Sequence, residues 1–191
     1  LFTLGFHYPR RADYFQTELA NFLLMTRGEK MDPLSVKCSY AGAVGWPQFM
    51  PSNYLRYAVD FDKDGKRDLI NSIDDAIGSV ANYLKLHGWH PNQDIAIPAK
   101  VTGKSFHNVL KWGIKPQKTI QQMRGLGIRP MSAAYSGMKA ALFELKYKKN
   151  KDYWLALNNF YVITLSSITK SINSFIASIP YTIIRILYVV A

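Results

Sequence analysis

The chain has 191 residues, 48% hydrophobic and 19% charged, and its 24 Lys and Arg against 13 Asp and Glu give a net charge of +11. That length and apolar content exclude a disordered chain and accommodate one sizeable core with a small appendage. The charge favours anionic partners such as nucleic acid, anionic lipid or a carboxylate-bearing polymer, and the single cysteine, Cys38, excludes an intrachain disulfide.

Leu1 to Pro9 reads as a short element. Ala12 to Met25 reads as a helix, because Phe15, Leu19, Phe22 and Leu23 recur at helical spacing and define an inner face. Glu18 lies beside that face, between Thr17 and Asn21, and reads as a surface residue rather than a catalytic acid. Asp32-Pro33 marks a boundary, since Pro disfavours the helical conformation in the residue before it.

Ser39 to Asp75 carries the densest chemistry. Ala41-Gly42-Ala43-Val44-Gly45 permits positive φ and close backbone approach. It runs into Trp46, Gln48, Phe49 and Tyr54, which offer flat apolar faces and an amide with donors and acceptors. That set suits a sugar ring; composition alone favours a tight turn followed by core aromatics.

Next comes Asp60-Phe61-Asp62-Lys63-Asp64-Gly65. The spacing puts oxygens of Asp60, Asp62 and Asp64 at positions 1, 3 and 5 of a calcium loop, with Gly65 at the sharp turn. Lys66 would supply its backbone carbonyl, and Asp68 sits two residues further on. Asn71 stands where a bidentate Glu belongs, so the final ligand would be Asp74 or Asp75 in a longer loop. Spacing from Asp60 favours Asp74. The other reading is a solvated acidic turn that caps a helix.

Ser72 to Leu86 is the clearest helix. Ser72 caps it, Asp75 stands at the capping-box position, and Ile73, Ala76, Ile77, Val80 and Leu84 form an inner stripe. Tyr83 falls near its polar edge, and Gly88 suits the left-handed position after the helix. His87 and His90 lack a third ligand at zinc spacing, so no transition metal is assigned.

Ile95 to Lys104 reads as a short strand. It leads into a basic insertion over 91–135, with Lys111, Lys115, Lys118, Arg124 and Arg129. Ala140 to Lys149 joins an apolar segment to a basic tract, Tyr153 to Thr164 reads as packing back onto the core, and Ser166 to Ala191 is an apolar tail interrupted by Pro180 and Arg185.

Three segments carry a longer signal: Tyr8 to Phe15, Ser39 to Leu69 continued by Asp75 to Trp89, and Tyr153 to Thr164. Over roughly residues 1 to 164 the chain resembles the membrane-bound lytic murein transglycosylase B family. The resemblance implies a mainly α fold: a lysozyme-like α domain with an EF-hand-like calcium loop and a small α/β insertion. The corresponding divisions are a partial core over 1–90 with the loop at 60–75, the insertion over 91–135, a return to the core over 136–164, and a diverged tail over 165–191. The implied activity is cleavage of peptidoglycan between N-acetylmuramic acid and N-acetylglucosamine, with a 1,6-anhydro ring on the muramyl product.

By resemblance, Tyr14, Ser39, Gln48 and Tyr83 border or contact the glycan, and Asp60, Asp62, Asp64, Lys66 and Asp74 or Asp75 hold Ca2+. Alignment on the Asp-Ala-Ile-Gly-Ser segment favours Asp75. The family's acid is a Glu in a segment like G-V-E-T-x-W-G, upstream of the counterpart of Leu1. Glu18, Glu29 and Glu144 are the only glutamates here and none has that context, so no catalytic residue is assigned. A truncated and inactive fragment is the expectation, and a non-catalytic peptidoglycan-binding remnant is the alternative. No signal peptide precedes Leu1 in this sequence, whereas the family is periplasmic or outer-membrane-associated. The expected partner is the peptidoglycan glycan strand, engaged by a monomer, with any membrane association running through an N-terminal anchor. No nucleic acid is expected, because no helix-turn-helix, RNA-recognition pattern or zinc finger occurs.

Overall fold

A computed structural model of the chain describes residues 1–147 and 150–166, and the apolar tail from 167 onward lies outside the described residues. Two compact units divide it, Leu1–Leu86 and His87 onward.

The first unit is helical. Its elements are α1 (Phe2–His7), a 3-10 turn at Pro9–Arg11, α2 (Ala12–Gly28), α3 (Pro51–Tyr57) and α4 (Ile73–Leu86). Phe22, Met25, Val44, Phe49, Tyr54, Tyr57, Leu69 and Tyr83 form its core. Each such side chain contributes roughly 1.5–3 kcal/mol by leaving water.

Two faces differ from the sequence reading. On α2 the buried row is Phe15, Glu18, Phe22, Met25 and Thr26, while Leu23 is exposed. Glu18 turns inward because it has a partner: its carboxylate accepts from Ser52 N at 3.0 Å and Ser52 Oγ at 2.6 Å, at the start of α3. On α4 the buried residues are Asp75, Ala76, Gly78, Ser79 and Tyr83, whereas Ile73, Ile77 and Val80 are exposed. The helix is rotated because Asp75 and Ser79 take backbone N–H groups of the preceding loop. Gly78 also lets Phe61 lie against the helix; a Cβ there would come within 2.6 Å of the Phe61 side chain.

The second unit is built on a sheet. Its elements are β1 (Ala96–Val101), α5 (Phe106–Val109), a 3-10 turn at Leu110–Trp112, β2 (Lys118–Thr119), α6 (Ile120–Gly125), β3 (Ile128–Pro130), β4 (Lys139–Tyr147), β5 (Asn150–Ala156) and α7 (Asn158–Ser166). The five strands run in the order β2-β4-β5-β1-β3, every pair antiparallel. In the β4–β5 hairpin Leu142 faces Leu155 and Phe143 faces Trp154.

Successive residues point to opposite faces. Ile97, Leu142 and Leu155 join Ile120, Met123 and Ile128 in one cluster. Ala96, Phe143 and Ala156 join Ile95 and Phe160 in another. Where the sheet is covered on both faces, as at Ala140 to Phe143, the strand loses its apolar–polar alternation, and the basic tract that follows hides the rest of the hairpin. The expectation of a mainly α chain therefore describes the first unit, and the second is an antiparallel sheet with short helices. Residues 136–164 contribute β4, β5 and α7 to this second unit.

Gly45 has a φ of 70°, and a Cβ there would run into the Leu69 carbonyl. Gly45→Ala is expected to destabilise the first unit by about 2 kcal/mol or more. A fall in urea midpoint with unchanged slope is the expected readout.

Candidate functional site

The acidic loop leaves the end of α3 and returns to α4. Its backbone folds onto its own carboxylates. Asp60 accepts from Asp64 N at 3.1 Å and Gly65 N at 2.9 Å. Asp62 accepts from Asp64 N at 3.2 Å and, through its other oxygen, from Ser72 Oγ at 2.9 Å. Asp64 accepts from Lys66 N at 2.8 Å. Gly65, with φ at 90°, makes the tight turn that this wrapping needs. One carboxylate oxygen from each of Asp60, Asp62 and Asp64 lies within 4.8 Å of the others. Three like charges so close repel one another, and a divalent cation would remove that repulsion.

Asp75 organises the loop from outside it. Its side chain is fully buried and accepts from Phe61 N at 2.7 Å, Asp62 N at 3.4 Å and Asp68 N at 2.8 Å. Its own N–H donates to Ser72 Oγ at 3.2 Å, so Ser72 does cap the helix. Asp74, the residue favoured by spacing, is exposed. Asp68 turns to Asn71 instead, accepting from Ile70 N, Asn71 N and Asn71 Nδ2. Partial burial would raise its carboxyl pKa. Hydrogen bonds from Asn71 and Ile70 and the nearby Lys66 outweigh that and hold it below the usual carboxylate range.

A second anchor escaped sequence reading. Arg67 pairs with Glu29, whose side chain is nearly buried, and the Arg67 carbonyl accepts from the Tyr54 hydroxyl. Burial, then the Glu29 charge, push the Tyr54 phenol well up. Nothing local in sequence signals this contact, which joins residues far apart in the chain.

Ser39 and Gln48 share a small hairpin with bridges Cys38–Val44 and Val44–Phe49. The Ser39 hydroxyl accepts from Ala43 N at 3.0 Å. Gln48 is exposed, adopts a φ of 54°, and donates its amide to the Gly45 carbonyl at 2.8 Å. Trp46 and Tyr40 are exposed beside them, and Trp46 N donates to Leu69 O at 2.9 Å, which ties the hairpin to the acidic loop's far end.

Tyr83, expected at a polar edge, is 7% exposed and lies in the core. Its ring sits 5.7 Å from Phe49 and meets Tyr57 edge-on at 5.0 Å. Burial raises its phenol pKa, with Tyr57 adding to the effect. Ser39, Gln48 and Tyr83 thus gather around one hairpin. Tyr14 stands apart on α2, with the Arg11 guanidinium 4.3 Å from its ring centre. Burial and the Glu18 charge raise its pKa against the Arg11 contribution.

The sequence profile of the family described as transglycosylase SLT domain matches residues 1–165. The chain belongs to that family. It is 46% identical over 164 residues to membrane-bound lytic murein transglycosylase B of Escherichia coli, covering 86% of this chain and 44% of that protein. The lytic transglycosylase SltB1 of Pseudomonas aeruginosa is 39% identical, with a TM-score of 0.85 over 97% of this chain and 59% of its own. E. coli Slt35, solved in complex with calcium, is 38% identical with a TM-score of 0.80, over 98% of this chain and 57% of its own. The chain therefore has a lytic transglycosylase fold and spans roughly half the length of these transglycosylase relatives.

Asp75→Asn is expected to cost about 2–3 kcal/mol, because three N–H groups lose a charged acceptor. Asp74→Asn is expected to stay within about 0.5 kcal/mol of the parent. Urea unfolding of the two variants checks both.

Proposed function

We propose that this chain forms part of a peptidoglycan lytic transglycosylase. On this reading it binds the glycan strand at the bond between N-acetylmuramic acid and N-acetylglucosamine, whose cleavage leaves a 1,6-anhydro ring. The observation that carries it is the family match across residues 1–165. Relatives add chemical detail: SltB3 of P. aeruginosa is solved with NAG-NAM-pentapeptide and NAG-anhNAM-pentapeptide, and E. coli Slt35 with bulgecin A. Ser39 and Gln48 would line the groove, with Tyr83 supporting it from the core behind Phe49, Tyr14 at its border and the exposed Trp46 as an apolar platform. The basic insertion over 91–135 supplies a second contact area for an anionic polymer. The reading includes a periplasmic site of action and a monomer. Among the described residues no helix is long and apolar enough to cross a membrane.

The acid for this chemistry is a Glu that protonates the glycosidic oxygen and then takes the proton of the C6 hydroxyl. The glutamates of this chain are otherwise engaged. Glu18 is held by Ser52 on both oxygens, Glu29 by Arg67, and Glu144 by Lys146 and Lys151. The 191-residue chain is therefore expected to bind peptidoglycan without turning it over. Chromatography of the soluble fraction should show no anhydro-muropeptides, and their release would overturn this. Sedimentation with insoluble peptidoglycan should retain the chain. Ser39→Ala with Gln48→Ala should weaken retention roughly fivefold or more.

The acidic loop has the donor set for Ca2+: three carboxylates with converging oxygens and a backbone that already wraps them. Asp60, Asp62, Asp64 and the Lys66 carbonyl would hold the ion. Of the two remaining aspartates, Asp75 is the one in hydrogen-bonding contact with the loop. The ion would fix the loop and hence α4, with no part in proton transfer. Saturating Ca2+ should raise stability by about 2.7 kcal/mol at a hundredfold excess over Kd. Asp62→Asn should abolish that gain in melting curves with and without chelator.

A further inference from the structure

The second unit contains a cavity of about 290 Å³ that neither the acidic loop nor the 38–49 hairpin helps to build. Leu157, Met138 and Tyr161 give it an apolar lining, and Lys115 and Lys139 stand exposed at its rim. Among the described residues no carboxylate lines it. Among the described residues the ion pairs are Arg67 with Glu29 and the two lysines on Glu144, so Lys115 and Lys139 have no acidic partner there.

The walls are fixed before any ligand arrives. Asn159 is 1% exposed; its amide donates to the carbonyls of His90 at 2.8 Å and Gln93 at 3.0 Å and accepts from His90 N at 2.9 Å. That pins the 90–93 loop to the first turn of α7. On the other wall Gln117 N donates to Ala140 O at 3.3 Å, and Thr119 pairs with Lys139, which holds the two lysine-bearing segments side by side.

We infer that this cavity binds a short peptide by its free C-terminal carboxylate. Two unpaired ammonium groups suit one carboxylate through charge-assisted hydrogen bonds. The apolar lining suits small side chains behind it, and the volume matches one or two residues. A nucleic acid or other phosphate polymer would leave the apolar lining unused. Assigning the peptide to the stems of peptidoglycan rests on the function proposed above; the carboxylate chemistry does not.

Amide NMR shifts of the full chain, titrated with acetyl-D-alanyl-D-alanine, its C-terminal amide and inorganic phosphate, test this. The free acid should shift residues 90–93, 115–117 and 138–139. The amide, phosphate, and the free acid on Lys115→Ala with Lys139→Ala should each bind at least roughly tenfold more weakly. Lys111→Ala, which removes a lysine that does not line the cavity, serves as a folded control and should bind as the parent does. Equal binding of acid and amide, phosphate binding as tight as the acid, unchanged affinity in the double variant, or no shift at roughly 10 mM peptide would each overturn the site. Ser39→Ala with Gln48→Ala should leave the dipeptide affinity intact. Failure of the parent chain to sediment with peptidoglycan, with dipeptide binding preserved, would remove the peptidoglycan source and leave the pocket standing.

Discussion

The buried carboxylate of Asp75 holds the first unit's acidic loop against α4. It accepts from N–H groups on both sides of the loop, Phe61 and Asp62 before the turn and Asp68 after it. A buried charge is costly unless it is paired or hydrogen-bonded, and here the backbone supplies the partners. Ser79 repeats the device one turn on, accepting from Val59 N at 3.0 Å. The orientation of α4, the close packing of Phe61 on Gly78, and the convergence of Asp60, Asp62 and Asp64 all follow from this pair of contacts.

The second unit solves its own problem differently. It depends on β4 and β5, whose hairpin pairs seven positions and has apolar clusters on both faces. β1 and β3 extend that hairpin on one side and β2 on the other. Asn158 and Asn159 then fasten the entry loop to α7, through Gly88 O and through His90 and Gln93. Polar side chains thus fix the loops in both units, while apolar packing fixes the sheet.

Much was legible in the sequence. Both long helices, the acidic loop, the left-handed Gly88 and the family resemblance could be read directly. The buried face of α4 could not, because hydrophobic periodicity ranks residues by apolarity and has no knowledge of an N–H group waiting in a distant loop. Ile73 and Ile77 outranked Asp75 and Ser79 for that reason, and Leu23 outranked Glu18. The sheet was hidden for another reason. Pairing of residues 153–156 with β1 is a long-range choice, and strands covered on both faces lose the alternation that would mark them. Within the candidate site the residue types were readable, and the burial of Tyr83 and the Glu29–Arg67 pair were not.

The rotation of α4 also has a thermal consequence. Unfolding heat capacity rises with the apolar surface that becomes wet and falls with the polar surface. A helix that presents Ile73, Ile77 and Val80 to solvent and buries Asp75 and Ser79 adds little to that quantity beyond Ala76 and Tyr83. Its attachment should therefore have a flatter temperature profile than the sheet of the second unit, whose strength resides in hidden hydrocarbon and fades on cooling.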